Sequence, residues 1–184
     1  MDLHVAILIG SLRKASFTRK IAQAAMAQAP KRMRFQTIEI GNLPHYNQDR
    51  EDDVPSEWTQ FRSEVSACNA VLFFTPEYNR SFPGVLKNAI DVGSRPEGKS
   101  VWNGMPTGVV SVTPYKLGAF GANHALRQTF VFLNMPAMQQ PEVYIGSVGD
   151  LLDKSGKLTS ADTAKLLEKF MSAFETWVTK QRAL

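Results

Sequence analysis

Residues 70–84 read Ala70-Val71-Leu72-Phe73-Phe74-Thr75-Pro76-Glu77-Tyr78-Asn79-Arg80-Ser81-Phe82-Pro83-Gly84. The run Ala70 to Thr75 is apolar almost throughout, which predicts a strand covered on both faces, as in a parallel sheet packed between helices. Pro83 is tolerated in the first turn of a helix, and Leu86, Ala89 and Ile90 continue that helix at three- and four-residue spacing. The segment between them is a loop leaving the carboxyl end of a strand, where open α/β sheets place their ligands.

The chain opens with the same arrangement. Leu3 to Ile9 is an apolar run ending in Gly10, and Ser11-Leu12-Arg13-Lys14-Ala15-Ser16-Phe17-Thr18 follows. A helical pattern through Ile21, Ala24, Ala25 and Met26 then stops before Pro30. A second strand is predicted at Phe35 to Ile40, followed by a turn-rich stretch from Gly41 to Pro55. Ser56 reads as the cap of a helix reaching about Cys68. A fourth strand is predicted at Thr107 to Thr113 and a helix at about Gly121 to Leu133. The fifth strand is expected near Ala137 to Gln139, with an extension at Val143 to Ile145. A last helix opens with Thr159 and Asp162 in a capping box and buries Leu167, Phe170, Met171, Phe174, Trp177 and Val178. Alternating strands and helices predict an α/β fold with right-handed crossovers. Five strands fit a flavodoxin-like parallel sheet of order 2-1-3-4-5, with helices on both faces, as one domain over residues 1–184.

With 184 residues and a net charge of +4, the chain is mildly basic. No basic stripe with interleaved aromatics appears, so no nucleic-acid partner is expected. The single cysteine excludes an intrachain disulfide and a multi-cysteine metal cluster. Cys68 continues the Trp58, Phe61, Val65 face and reads as a small buried hydrophobe. His4, His45 and His124 form no ligand spacing and Asp49 to Asp53 reads as a solvated loop, so no metal is expected. The chain starts almost at once with a strand and lacks an apolar run of about 18 residues, so we expect neither a signal peptide nor a membrane span, and a cytoplasmic location. The sequon Asn79-Arg80-Ser81 is then incidental.

The two loops carry different chemistry. The first offers the hydroxyls of Ser11, Ser16 and Thr18 and the guanidinium of Arg13 at a helix N-terminus, where free N–H groups and the helix dipole favour a phosphate. The same residues also read as a helix cap beside a solvated arginine. The dinucleotide glycine pattern and the Walker lysine are absent, which disfavours adenine dinucleotides or nucleoside triphosphates at this loop. The second loop offers backbone donors and Tyr78, as a flat heterocycle requires. Together they suggest a mononucleotide cofactor of the flavin type.

Three segments carry a resemblance to a known family: Gly-Ser-Leu-Arg-x-x-Ser at 10–16, Pro-Glu-Tyr-Asn-Arg-Ser-x-Pro-Gly-x-Leu-Lys-Asn-Ala-Ile-Asp at 76–91, and Gly-Ala-x-x-Ala-Leu-Arg-Gln at 121–128. Over roughly residues 4–146 the chain resembles the NADPH-dependent FMN reductases, in particular the quinone and chromate reductases. The resemblance implies bound FMN, NADPH or NADH as co-substrate, small-molecule electron acceptors, and a homodimer or homotetramer with flavin sites near the subunit interface. Carried over, Ser11, Arg13, Ser16, Phe17 and Thr18 would hold the phosphate; position 18, commonly asparagine in the family, keeps a donor as threonine. Pro76, Glu77, Tyr78 and Asn79 would line the isoalloxazine. The turn from Ser111 through Thr113 to Gly118 would close its other side. No catalytic side chain is expected, because the flavin carries the redox chemistry. Arg80, Arg95 and Lys99 are expected near the cofactor edge, facing a nicotinamide phosphate or an anionic acceptor. The apolar run Phe130 to Leu133 is expected to face both core and partner subunit. The competing reading is a flavodoxin-type electron carrier without its own substrate, although such carriers present acidic faces and this chain is basic.

Overall fold

The computed structural model describes residues 2–183. In chain order the elements are β1 (Leu3–Ile9), α1 (Phe17–Ala27), β2 (Met33–Thr37), α2 (Ser56–Ser66), β3 (Ala70–Thr75), α3 (Gly84–Gly93), β4 (Thr107–Val112), α4 (Phe120–Phe132), β5 (Val143–Ile145) and α5 (Ala161–Gln181). The strands form one parallel sheet in the order β2-β1-β3-β4-β5, a flavodoxin-like topology. Ile9 lies beside Phe74 and Thr75 beside Ser111, so β1, β3 and β4 end level with one another and release their loops along one edge.

Side chains alternate across a strand with period two, and β1 divides its residues accordingly. Leu3, Val5, Ile7 and Ile9 pack with Ile21, Ala22 and Ala25 of α1 and Leu167, Phe170, Phe174 and Val178 of α5. Ala6 and Leu8 pack on the opposite face with Trp58 and Phe61 of α2, Leu86 and Ile90 of α3, and Leu126 and Phe130 of α4. Each fully buried Leu, Ile or Phe contributes about 1.5–3 kcal/mol by leaving water. Cys68 is buried among the second set, and that burial pushes its thiol upward from the ordinary range.

Several boundaries differ from expectation. The β2 ladder covers Met33–Thr37, pairing with Leu3–Ile7, rather than Phe35–Ile40. Ile38 still donates its N–H to Ile7 O at 3.1 Å, but Ile38 and Ile40 then turn into the α2/α3 side of the core. The fifth strand is Val143–Ile145 against Val110–Val112, whereas Ala137 makes only one bridge to Thr107. β4 ends at Val112, one residue early. Pro55, not Ser56, occupies the cap of α2, and the Ser56 hydroxyl reaches Glu57 instead. Ser160, not Thr159, caps α5 by accepting from Thr163 N–H at 3.2 Å, while Thr159 donates its hydroxyl to Leu151 O.

The connection 38–55 lies as a strap over α3. Buried Asn88 donates to Leu43 O and Pro44 O at 3.2 and 3.1 Å and accepts from Tyr46 N–H at 2.8 Å. Trp58 Nε1–H donates to Pro44 O at 2.9 Å. Glu51 accepts from Arg95 Nε and Nη2 at 2.6 and 3.0 Å and from the Tyr46 hydroxyl at 2.8 Å. Those hydrogen bonds, from Arg95 first and then Tyr46, hold the Glu51 carboxyl below the ordinary carboxylate range.

Candidate functional site

The first loop is fixed at its root and open at its tip. Gly10 N–H donates to Phe74 O at 2.8 Å. A Cβ on Gly10 would lie 3.2 Å from Leu86 and 3.3 Å from Pro76, so the loop starts wedged against the second one. Ser16 Oγ accepts from Arg19 N–H at 3.1 Å and caps α1, leaving its own hydroxyl hydrogen free to donate. Ser11 and Thr18 are buried, at 4% and 2% exposure. Among the described residues neither hydroxyl has a hydrogen-bond partner, and neither do the N–H groups of Phe17 and Thr18 in the first turn of α1. Phe17 packs its half-buried ring on the α1/α5 side of the core, and Arg13 stands exposed at the loop tip. Hydroxyls, free amides and the positive end of a helix dipole converging on one turn match what a phosphomonoester requires.

The second loop is a tight turn anchored on a carboxylate. Tyr78 and Ser81 exchange backbone hydrogen bonds of 2.8 and 3.0 Å, and Asn79 and Arg80 between them have φ of 51° and 67°. Glu77, only 14% exposed, accepts from Ala122 N–H at the start of α4 at 3.2 Å and from Arg80 Nη1 at 3.3 Å. Its side chain therefore ties the loop to α4, satisfying one of the helix's open amides. A Cβ on Gly121 would sit 2.8 Å from Arg80 O, which keeps loop and helix in close approach. Tyr78 and Ser81 N–H are engaged within the turn, so Glu77 and Asn79 are among the loop amides left open to a ligand. Tyr78 itself is half-exposed, and Pro76 is half-buried at the root.

The third loop supplies the facing wall. Thr113 Oγ1 accepts from Tyr115 N–H at 3.3 Å, and Tyr115 O accepts from Ser147 N–H at 3.1 Å. Gly118 has φ of 62°, and a Cβ there would lie 2.6 Å from Tyr144. Glu77, Asn79 and Arg80 face Thr113, Tyr115, Leu117 and Ala119 across a cleft of about 470 Å³.

Three of the expected residues, Ser111, Arg95 and Lys99, lie away from the cleft. Ser111 does not reach the cleft: its buried hydroxyl donates to Gly118 O at 2.7 Å and accepts from Asn123 Nδ2 at 3.3 Å, so it braces the loop from beneath. Arg95 and Lys99 lie beyond the C-terminus of α3, the opposite end of the helix from loop 76–83, and Arg95 is engaged by Glu51. Arg95 lines a separate cavity of about 430 Å³ with Phe132 and Leu133. Tyr115, Leu117 and Ala119 line the cleft without having been singled out in the sequence. Their signal was the exposed apolar pair in a turn: Tyr115 and Leu117 keep most of their surface in water.

Beside this wall, Tyr144 OH lies 2.9 Å from His124 Nε2, and burial first, then hydrogen bonding with Glu142, pushes its hydroxyl up to about 12. Among the described residues, no group of three or more His, Cys, Asp or Glu residues is placed to hold a metal ion. No helix among them is long and apolar enough to cross a membrane.

Residues 3–150 match the model of the NADPH-dependent FMN reductase family. A quinone reductase of Pseudomonas putida is 54% identical over 181 residues, covering 98% of this chain and 97% of its own length. A 2-hydroxy-1,4-benzoquinone reductase of a Burkholderia species is 40% identical, covering 99% of this chain and all of its own length. Among solved structures, the flavoenzyme NAD(P)H:(acceptor) oxidoreductase FerB of Paracoccus denitrificans superposes with a TM-score of 0.92 at 37% identity, over 97% of this chain and 98% of that one.

Proposed function

Since the chain belongs to the NADPH-dependent FMN reductase family, in its quinone reductase branch, we propose that the three loops at the carboxyl edge form its flavin site. The protein is an FMN-dependent NAD(P)H quinone reductase of a single domain. When bound, FMN would supply the two-electron chemistry by which NADPH or NADH, a proton and a quinone yield NAD(P)⁺ and a hydroquinone, by hydride transfer through the flavin.

The chain's own residues bind and orient. Ser11, Ser16 and Thr18 donate hydroxyl hydrogens to the phosphate, the amides of Phe17 and Thr18 add the helix N-terminus, and Arg13 closes over the group from the tip. Pro76, Glu77, Tyr78 and Asn79 line one edge of the ring, with the amides of Glu77 and Asn79 as donors. Thr113 and the loop to Gly118 bound the other side. Glu77 is committed to Ala122 and Arg80, and this reading assigns no side chain the part of acid or base. An open cleft also admits free flavins and metal oxyanions such as chromate, the latter as incidental acceptors. The protein works in the cytoplasm as a homodimer or homotetramer, and Val131 and Phe132, 84% and 91% exposed, mark a surface for a second copy.

The observation carrying this reading is the pair of hydroxyls on Ser11 and Thr18, residues otherwise buried, whose oxygens have no hydrogen-bond partner among the described residues and keep access to solvent at the loop. Purified protein is expected to be yellow, to retain FMN through gel filtration and to bleach anaerobically with NADPH. Protein that takes up no FMN on reconstitution overturns the reading. Phe132→Asp is expected to lower the mass measured by light scattering; an unchanged mass removes this surface from the assembly.

A further inference from the structure

Asn79 and Arg80 occupy the central positions of a turn in which both residues are left-handed, with φ of 51° and 67°. Asn-Gly builds such a turn without strain, whereas an arginine at its second position holds a Cβ in a region that L residues avoid. A side chain kept against its backbone preference in a ligand cleft points to a use for that side chain. Stability is not a sufficient use. The Arg80 side chain is 76% exposed and pairs at 3.3 Å with Glu77, whose other oxygen already caps α4. An ion pair this open to water contributes little.

Apart from Glu77, whose carboxylate is turned to Ala122 N–H and the Arg80 guanidinium, the rest of the cleft lining is uncharged: Asn79, Thr113, Tyr115, Leu117 and Ala119. Tyr115 and Leu117 present exposed apolar surface from a loop whose backbone is held by Ser147 and Tyr144. One guanidinium facing an aromatic and an aliphatic side chain is a receptor for a flat ring that carries a negative oxygen.

We propose that Arg80 is a specificity-determining residue that selects, among quinone acceptors, those bearing an ionised oxygen on the ring. Its guanidinium pairs with that oxygen at the outer rim of the cleft, where the exposed ends of Arg80, Tyr115 and Leu117 lie outside the part bounded for the flavin by Thr113 and the Gly118 turn. The inference rests on the quinone reductase reading of the cleft. Electron flow is unchanged by it; the pairing alters which quinone is held.

The test uses FMN-loaded enzyme and two acceptors sharing one bicyclic ring: 2-hydroxy-1,4-naphthoquinone, an anion at neutral pH, and 2-methyl-1,4-naphthoquinone, which is neutral. In Arg80→Gly the ratio of kcat/KM for the anionic over the neutral quinone is expected to fall roughly five- to tenfold, chiefly through KM. Arg80→Lys restores much of the ratio, and added salt lowers the ratio in the parent enzyme. The Tm of Arg80→Gly is expected to stay level or rise, because glycine relaxes the left-handed position. An unchanged ratio overturns the inference. A lowered Tm with equal loss on both quinones makes Arg80 a structural clamp, and a change confined to NADPH over NADH assigns its charge to the nucleotide; either result also overturns it. FMN-loaded parent enzyme that reduces neither quinone overturns the reductase reading itself.

Discussion

Two long connections leave the same edge of the sheet and treat their polar groups in opposite ways. The strap 38–55 satisfies its groups within the protein: Asn88 reaches Leu43, Pro44 and Tyr46, Trp58 reaches Pro44, and Glu51 gathers Arg95 and Tyr46. Loop 10–16 is fixed only at its ends, by Gly10 N–H to Phe74 O and by the Ser16 cap, and leaves hydroxyls and amides open between them. Polar groups committed to internal partners in the strap, against hydroxyls and amides left open to solvent around the first loop, distinguish a structural brace from a ligand site more sharply than composition does, since both loops are polar.

The comparison breaks first at Asn88. Asn88→Ala removes the partner of Leu43 O and of Tyr46 N–H, Pro44 O keeping Trp58 Nε1–H, and is expected to lower unfolding free energy by about 2–3 kcal/mol in urea titrations, while FMN affinity stays within about twofold. A large loss of FMN affinity would mean that the strap shapes the site. Ser11→Ala is the converse. It removes a hydroxyl with no internal partner, so the FMN dissociation constant is expected to rise about tenfold by fluorescence titration, with stability of the FMN-free protein within about 0.5 kcal/mol. Thr18→Val is expected to act alike; stability losses in place of affinity losses would merge the two loops into one class.

The smallest effect concerns acid. Because Glu51 is held below the ordinary carboxylate range in the folded protein, its contribution is present above that range and is lost as pH falls through its lowered value. Glu51→Gln is expected to have a slightly lower Tm at neutral pH, and its Tm–pH curve is expected to converge with that of the parent protein on the acid side. Parallel curves would show that the Arg95 pairing does not couple to folding.

What the sequence disclosed followed from burial on both faces. Leu3–Ile9, Ala70–Thr75 and Thr107–Val112 are buried at every position but His4 and mostly apolar because helices cover both sides, and their ends position the ligand loops. β2 and β5 were harder to read. Residues Ile38 and Ile40 are buried beyond the ladder and imitate strand continuation, and β5 is a three-residue edge strand whose upstream neighbour Ala137 touches β4 once. The caps at Ser56 and Thr159 missed by one residue because each hydroxyl had another acceptor within reach. In the site, the loops were legible from position and residue type. The directions of Ser111, Glu77 and Arg95 were not, since each is set by a partner distant in the chain: Gly118 and Asn123, Ala122, and Glu51.

Gly10 sits in a niche between Pro76, Pro83 and Leu86 that admits no side chain without displacement. The two proline rings and the leucine side chain thus set the root of the first loop before any guest arrives, and little disorder of that root remains to be frozen out on docking. A receptor prepared in this way distinguishes good from poor guests mainly by how long they linger, rather than by how quickly they find it.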